Sequence, residues 1–144
     1  MAMEPAARYL EMQVMTATRE QLLLLLFDGA IRFAEQGRES QQAKEFERST
    51  ERLQRAQEIM LEVMSALDHS VGDELYIKLI ALYQFCHSRL LTANLSRKSA
   101  PVDDALQILR NLRAMWGEAV ARTGAERREA APAAVPQGSL SVLG

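Results

Sequence analysis

Residues 16–33 of this chain read TATREQLLLLLFDGAIRF, in which a helix-start signal runs directly into six consecutive apolar residues. The hydroxyl of Thr18 can accept a hydrogen bond from a free backbone N–H of the first turn, and the side chain of Gln21 can reach back to the backbone of Thr18. The signal therefore predicts a helix that begins at about Arg19. Its apolar positions cover more than one stripe of the helix surface, so the helix needs contacts on more than one side.

Helical periodicity, without the alternation typical of strands, predicts four helices, at about residues 19–38, 44–67, 73–97 and 101–122. Because the links between them are short, successive helices should pack as antiparallel neighbours. The predicted fold class is therefore all-α, an antiparallel up-and-down four-helix bundle. We expect residues 1–17 to form a mobile N-terminal segment, residues 18–123 to form the bundle, and residues 124–144 to be a disordered tail rich in Ala, Pro, Gly and Ser.

The predicted helices differ in how much apolar surface they carry. The second has one narrow seam, whereas the third has two apolar stripes and only Lys78 and Arg89 as formal charges between Leu75 and Leu95. In the first helix, Asp28 and Arg32 lie four residues apart and can pair weakly. Two interpretations of the surplus apolar surface stay open. Either the first and third helices are the most buried members of the bundle, or a groove along the third helix receives a partner segment.

Two blocks of the sequence, with Tyr9 before them, resemble the flagellar export chaperone family FliS, the cytoplasmic partners of flagellin. A weaker third match lies in the last predicted helix, and the sequence departs from the family pattern at Thr18, Arg19, Gln84 and Cys86. The matching residues are Thr16, Ala17, Leu22, Leu26, Phe27, Asp28, Gly29 and Ala30, then Leu82, Tyr83, Phe85, Arg89, Leu90, Leu91, Ala93 and Asn94, and finally Leu109, Leu112 and Trp116.

The resemblance implies a chaperone that binds the C-terminal segment of flagellin, prevents its premature polymerisation and delivers it to a component of the flagellar export gate. We expect a monomer or a weak homodimer. Tyr83, Arg89 and Asn94 can supply directional hydrogen bonds to the partner, although Tyr83 and Asn94 can instead be internal contacts. The expected partner-binding residues are Tyr9, Leu22, Leu26, Phe27, Ile31, Leu79, Tyr83, Arg89, Leu90, Ala93 and Asn94.

The segment before the first helix is apolar and rich in methionine, a flexible side chain suited to an irregular groove. We expect this segment to cover the partner groove in the free protein and to leave it on binding, as the resemblance also implies. The alternative is a segment packed permanently against the bundle. The residues expected to form the cover are Leu10, Met12, Val14 and Met15.

Composition argues against several other classes of protein. The net charge is −2, and Arg and Lys are interspersed with Glu, so we expect no nucleic-acid partner. The N-terminus lacks the pattern of a secretion signal, and no apolar run approaches the roughly 20 residues of a membrane span. We therefore expect a cytoplasmic protein without membrane insertion. The single cysteine, Cys86, excludes an internal disulfide, and its apolar surroundings predict a buried thiol.

Catalysis has little support in the sequence. Neither His69 nor His87 has the Glu-x-x-His spacing of a bundle metal site, and no phosphate loop, nucleophile elbow or paired-cysteine motif occurs. We therefore expect no enzyme activity, no cofactor and no metal. Two alternatives to the chaperone stay open: a regulatory helical adaptor or anti-activator that binds a transcription or signalling protein, and a purely structural helical oligomer.

Overall fold

The computed structural model describes residue 8, residue 12 and residues 18–130, and the described part of the chain is almost entirely helical. No strand occurs among these residues, as predicted. A short 3₁₀ turn, His69–Val71, precedes the third helix. The long helices, numbered here in chain order, are α1, Arg19–Gln42; α2, Phe46–Ala66; α3, Asp73–Ser96; and α4, Ala100–Ala130.

The ends of α1 are fixed by identifiable backbone contacts. The N–H of Gln21 donates to the Thr18 hydroxyl at 3.2 Å, and the N–H of Thr18 donates to the Gln21 side-chain oxygen at 3.1 Å, which confirms the predicted capping pair. At the other end Lys44 adopts a left-handed conformation with φ 60°. Because Lys44 and Glu45 donate to carbonyls of the last turn, at 3.0 and 2.8 Å, the helix closes there, beyond the predicted end at residue 38.

The chain divides into two compact units, residues 26–114 and the flanking stretches 1–25 and 115–144. We call residues 26–114 the bundle unit, since this unit contains parts of all four long helices. Ion pairs at opposite ends of α1 and α4 show that these helices run antiparallel. Arg113 binds Asp28 at 2.7 Å near the start of the bundle unit, and Asp103 binds Arg38 at 2.8 Å further along α1.

The pair between Asp28 and Arg113 corrects one prediction. Asp28 does not pair with Arg32 of its own helix but takes a partner from α4, through two contacts of 2.7 and 3.5 Å. A fork of two guanidinium N–H groups on one carboxylate is a stronger arrangement than an exposed intrahelical pair. Tertiary packing therefore overrides the local spacing.

The remaining neighbours in the bundle unit are also antiparallel. Gly29 and Gly37 of α1 face Ile59 and Leu53 of α2, in reverse order along the chain. Asn94, near the end of α3, donates to the carbonyl of Thr50, near the start of α2, at 3.5 Å. The predicted up-and-down bundle is thereby confirmed, with α1 and α3 as diagonal members that contact each other in the core.

The core lies between the four helices of the bundle unit. The rings of Phe27 in α1 and Tyr83 in α3 meet there, with centroids 6.0 Å apart and planes tilted by 58°. Both side chains are almost completely buried. Close packing of this kind is the main source of stability in a helical bundle. The other large side chains that are fully buried with them are Leu53, Met60, Leu79, Leu90, Leu106, Leu109, Val63 and Val102.

At the C-terminal end of α4, the observed boundary differs from the predicted one. α4 continues through Gly124 to Ala130, into the segment predicted to be a tail, so this helix is longer than the predicted 101–122. The predicted tail beyond residue 130, and the N-terminal segment 1–17 apart from residues 8 and 12, lie outside the described residues. None of the described helices combines the length and the apolar character that crossing a bilayer requires.

Candidate partner-binding surface

The inner face of α3 belongs to the core. Leu79, Tyr83, Cys86, Leu90 and Ala93 are all at most 2% exposed. Burial raises the pKa of the Cys86 thiol from 9.0 to about 12, because the charged thiolate would lose its hydration. The Cys86 Sγ lies 3.9 Å from the carbonyl oxygen of Ala105. The predicted buried thiol is confirmed.

The outer face of α3 carries a second stripe, uncharged and mostly apolar, which no described helix covers. Its six residues follow alternating spacings of four and three, the pattern by which one helix packs lengthwise on another. All six are exposed, and Ile77 and Leu95 are 68% and 78% exposed. None of them is charged. We call this stripe the α3 seam; it consists of Ile77, Ala81, Gln84, Ser88, Leu91 and Leu95.

The charges beside the α3 seam are already paired. Lys78 binds Glu74 one turn earlier at 3.1 Å, and Arg89 binds Asp104 of α4 at 3.3 Å. Large exposed apolar side chains are concentrated on the same helix. Of the nine in the described part of the chain, six lie on α3: Leu75, Ile77, Leu82, Phe85, Leu91 and Leu95. Such a concentration of exposed apolar side chains on one helix makes α3 a candidate interaction surface.

The structure separates the predicted partner-binding residues into groups. Leu22, Leu26 and Ile31 of α1 are half-buried. Arg89 is half-buried and ion-paired, and Asn94 is half-buried with its side chain directed at Thr50. Five others lie in the core of the bundle unit and are closed to a partner in this conformation: Phe27, Leu79, Tyr83, Leu90 and Ala93.

The predicted N-terminal contacts fall largely outside the described residues. This applies to Tyr9 among the partner-binding residues, and to Leu10, Val14 and Met15 of the predicted cover. Met12, the remaining member of the cover, is described and is 67% exposed. The assignments of these residues stay predictions.

Sequence reasoning did not single out the α3 seam as a unit, although a signal for it was present. The positions from Ile77 to Leu95 that repeat at spacings of four and three contain no charge, whereas a solvated face of a helix usually carries several. A helix that is apolar on its inner face and uncharged on the opposite face has more uncharged surface than packing in a four-helix bundle requires. The pattern therefore makes the α3 seam a candidate site for a further helix.

Comparisons with known proteins agree on one family. The family described as "Flagellar protein FliS" matches residues 2–123. The flagellar secretion chaperone FliS of Escherichia coli is 32% identical over 111 residues, which cover 76% of this chain and 82% of that protein. The FliS of Bacillus subtilis is 27% identical over 116 residues, covering 81% of this chain and 86% of that relative. The FliS of Vibrio cholerae is 26% identical over 106 residues, covering 74% and 78%.

The matched region includes every helix of the bundle unit and the whole α3 seam. The described residues contain no group of three or more His, Cys, Asp or Glu side chains placed to hold a metal ion. The described residues instead form an all-helical bundle with an exposed, uncharged and mostly apolar stripe on α3. The sequence matches one family along most of its length. The chain belongs to the FliS family of flagellar secretion chaperones.

Proposed function

We propose that this protein is a cytoplasmic chaperone that binds the C-terminal segment of flagellin, keeps it from polymerising and delivers it to the flagellar export apparatus. The observation that carries the proposal is the α3 seam, which is exposed and uncharged along five turns of helix in a chain of the FliS family. The proposed activity is binding, without a catalytic step.

The chemistry of the α3 seam favours an amphipathic helix as its ligand. Ala81 and Ser88 are small, so a partner helix can approach the middle of the seam closely. Ile77, Leu91 and Leu95 stand at its two ends and can bury apolar surface against that helix. A partner segment that folds on binding gives up about 2–5 kcal/mol of interaction energy to ordering, so its complex can be specific and still be released.

The half-buried α1 residues Leu22, Leu26 and Ile31 stay in the proposed binding set, since the partner can extend beyond the seam. We also retain the proposal that residues 1–15 cover partner-binding surface in the free protein. A cover competes with the partner, so removing it should raise affinity. Deletion of residues 1–15 is expected to tighten flagellin binding, and weaker binding by the deleted protein would contradict the cover.

The test is isothermal titration of the protein with the C-terminal segment of flagellin from the same cell. The wild type should bind with a negative heat-capacity change, because apolar surface is buried. The double variant Leu91→Ala, Leu95→Ala should lose about tenfold or more in affinity, since each leucine contributes on the order of 1 kcal/mol when buried. Leu61→Ala is the matched control, because Leu61 is 54% exposed on α2, outside the seam.

Three outcomes can be separated. Loss of affinity in the double variant but not in Leu61→Ala supports flagellin binding through the α3 seam. Equal affinity in all three proteins would remove the seam from the site. No binding of flagellin by the wild type or by the protein lacking residues 1–15 would contradict the proposed function and favour the regulatory adaptor.

A further inference from the structure

Phe33 of α1 is surrounded by three arginine side chains from two helices. The guanidinium carbons of Arg32, Arg52 and Arg55 lie 5.3, 5.9 and 5.8 Å from the centre of the Phe33 ring. At these distances each cation is attracted by the electrons of the ring face. Phe33 and Arg52 are half-buried, whereas Arg32 and Arg55 are exposed. We call these four residues the arginine cluster.

Close packing of α1 on α2 assembles the arginine cluster. Gly29 and Gly37 flank Phe33 at spacings of four residues on the same side of α1. A Cβ atom at Gly37 would lie 2.6 Å from Leu53, and one at Gly29 would lie 3.3 Å from Ile59. Because the two glycines lack side chains, the helices approach closely on either side of Phe33. The arginines of α2 are thereby brought over the ring.

The three arginines of the cluster form no ion pair within the described part of the chain. No carboxylate oxygen there lies within 4.0 Å of the three guanidinium groups. The two acids nearest to Arg32 along α1 are engaged elsewhere, since Asp28 binds Arg113 at 2.7 Å and Glu35 binds Arg110 at 2.8 Å. Three like charges around one ring repel each other, and an anionic ligand would relieve this repulsion.

Other arginines of the bundle unit behave differently. Arg38, Arg89, Arg110 and Arg113 each bind a carboxylate of a neighbouring helix, at 2.7 to 3.3 Å. Those four arginines link helices within the bundle unit. The arginine cluster forms no such link, although its members also lie at a junction between helices. Its charge is therefore available to a molecule outside the bundle.

We propose that the arginine cluster binds an acidic peptide segment of a second protein partner. Planar guanidinium groups bind carboxylates through paired hydrogen bonds, so two or three neighbouring Asp or Glu side chains would match the three arginines. The Phe33 ring holds the guanidinium groups in place and offers an apolar contact beside them. This site goes beyond the binding of flagellin and uses none of the residues of the α3 seam.

The charge around the arginine cluster favours a short acidic peptide over a nucleic acid. Exposed Glu51 and Glu58 lie four residues before and three residues after Arg55 on α2. A long polyanion would have to pass these carboxylates, and the net charge of the whole chain is −2. A peptide with a few carboxylates can contact the three arginines alone.

The test uses fluorescently labelled hexaglutamate and the full-length protein, with binding followed by fluorescence anisotropy at low ionic strength. The triple variant Arg32→Gln, Arg52→Gln, Arg55→Gln should lose about tenfold or more in affinity, because charge-assisted paired bonds are removed. The matched control Arg19→Gln, Lys98→Gln, Arg122→Gln changes the net charge equally at exposed positions outside the cluster. It should stay within about twofold of the wild type. Circular dichroism checks that all variants remain helical.

Further variants distinguish a specific binding site from nonspecific electrostatic attraction. Replacement of the three arginines by lysine keeps the charge but removes the planar fork, so affinity should fall to an intermediate value. Wild-type affinity in the lysine variant, or equal losses in the two glutamine variants, would overturn the proposal. The proposal would also be overturned if a single-stranded oligonucleotide of equal charge bound the cluster more tightly than hexaglutamate does. Flagellin binding should be unchanged in the glutamine variant of the cluster, and a loss there would assign the cluster to the flagellin site.

Discussion

The inner and outer faces of α3 are both apolar, yet they differ almost completely in exposure. Leu90 on the inner face is 0% exposed, whereas Leu95 on the outer face is 78% exposed. The inner face packs around Tyr83 and the diagonal Phe27. The outer face has no described partner of its own. One helix therefore combines a surface that stabilises the bundle with a surface that no described helix covers.

The contrast shows why hydropathy alone does not identify a binding site. Apolar residues in a core and apolar residues in a docking surface have the same composition, and only their position relative to the other helices distinguishes them. In a core, each buried side chain is held by neighbours on all sides, so its loss leaves a cavity. On a docking surface, the same side chain contributes only when the partner is present.

The largest expected effect is a difference in stability between two single variants, each of which replaces one leucine of α3 with alanine. Leu90→Ala should lower the free energy of unfolding by about 2–5 kcal/mol, because it leaves a cavity in the core. Leu95→Ala should change it by less than about 0.5 kcal/mol. Urea denaturation followed by circular dichroism measures both values. Similar losses in the two variants would mean that the outer face is covered in the free protein.

A smaller effect is expected from the one thiol on the inner face. Burial raises the pKa of Cys86 from 9.0 to about 12, so the folded protein keeps its proton at a pH where the unfolded chain loses it. This contribution to stability is fully present below pH 9 and is lost as the pH rises towards 12. The slope is at most about 1.4 kcal/mol per pH unit.

The measurement is the free energy of unfolding between pH 8 and about 10.5, for the wild type and for Cys86→Ala. The variant removes the thiol, so its stability should decline less steeply above pH 9, the ordinary thiol pKa. All other side chains are the same in both proteins, so their contributions cancel in the difference. Parallel curves would show that Cys86 is hydrated and that the inner face is less closely packed than described.

The smallest effect is expected at Asn94, which lies at the border between the two faces. Its side chain donates to the carbonyl of Thr50 at 3.5 Å, a long contact for a hydrogen bond. Asn94→Ala should therefore lower the free energy of unfolding by less than about 1 kcal/mol. Titration with flagellin then decides its role, since a clear loss of affinity without a loss of stability assigns Asn94 to the partner. Unchanged affinity together with a stability loss above that limit makes it an internal contact.

Much of the fold follows from local chemistry. The Thr18 and Gln21 capping pair gives the start of α1, and the apolar periodicity gives the helices and their order. The ends of the helices are less predictable, because they depend on contacts outside the helix itself. α1 passes Gly37 because that glycine fits against Leu53, and it ends where Lys44 takes a left-handed conformation. The candidate binding surface was only partly predictable. The sequence shows that α3 is apolar on more than one stripe, but it does not show which stripe lies outside the core.

The sequence by itself determined an all-α bundle, a buried cysteine and the family, because capping, periodicity and ordered motifs are encoded in neighbouring residues. Only the tertiary structure decided which apolar face of α3 lies inward, that Asp28 pairs with Arg113 rather than Arg32, and that three arginines from two helices meet at Phe33. These outcomes depend on how each helix is rotated against its neighbours. That rotation is set by the packing of all four helices together, which no single helix specifies.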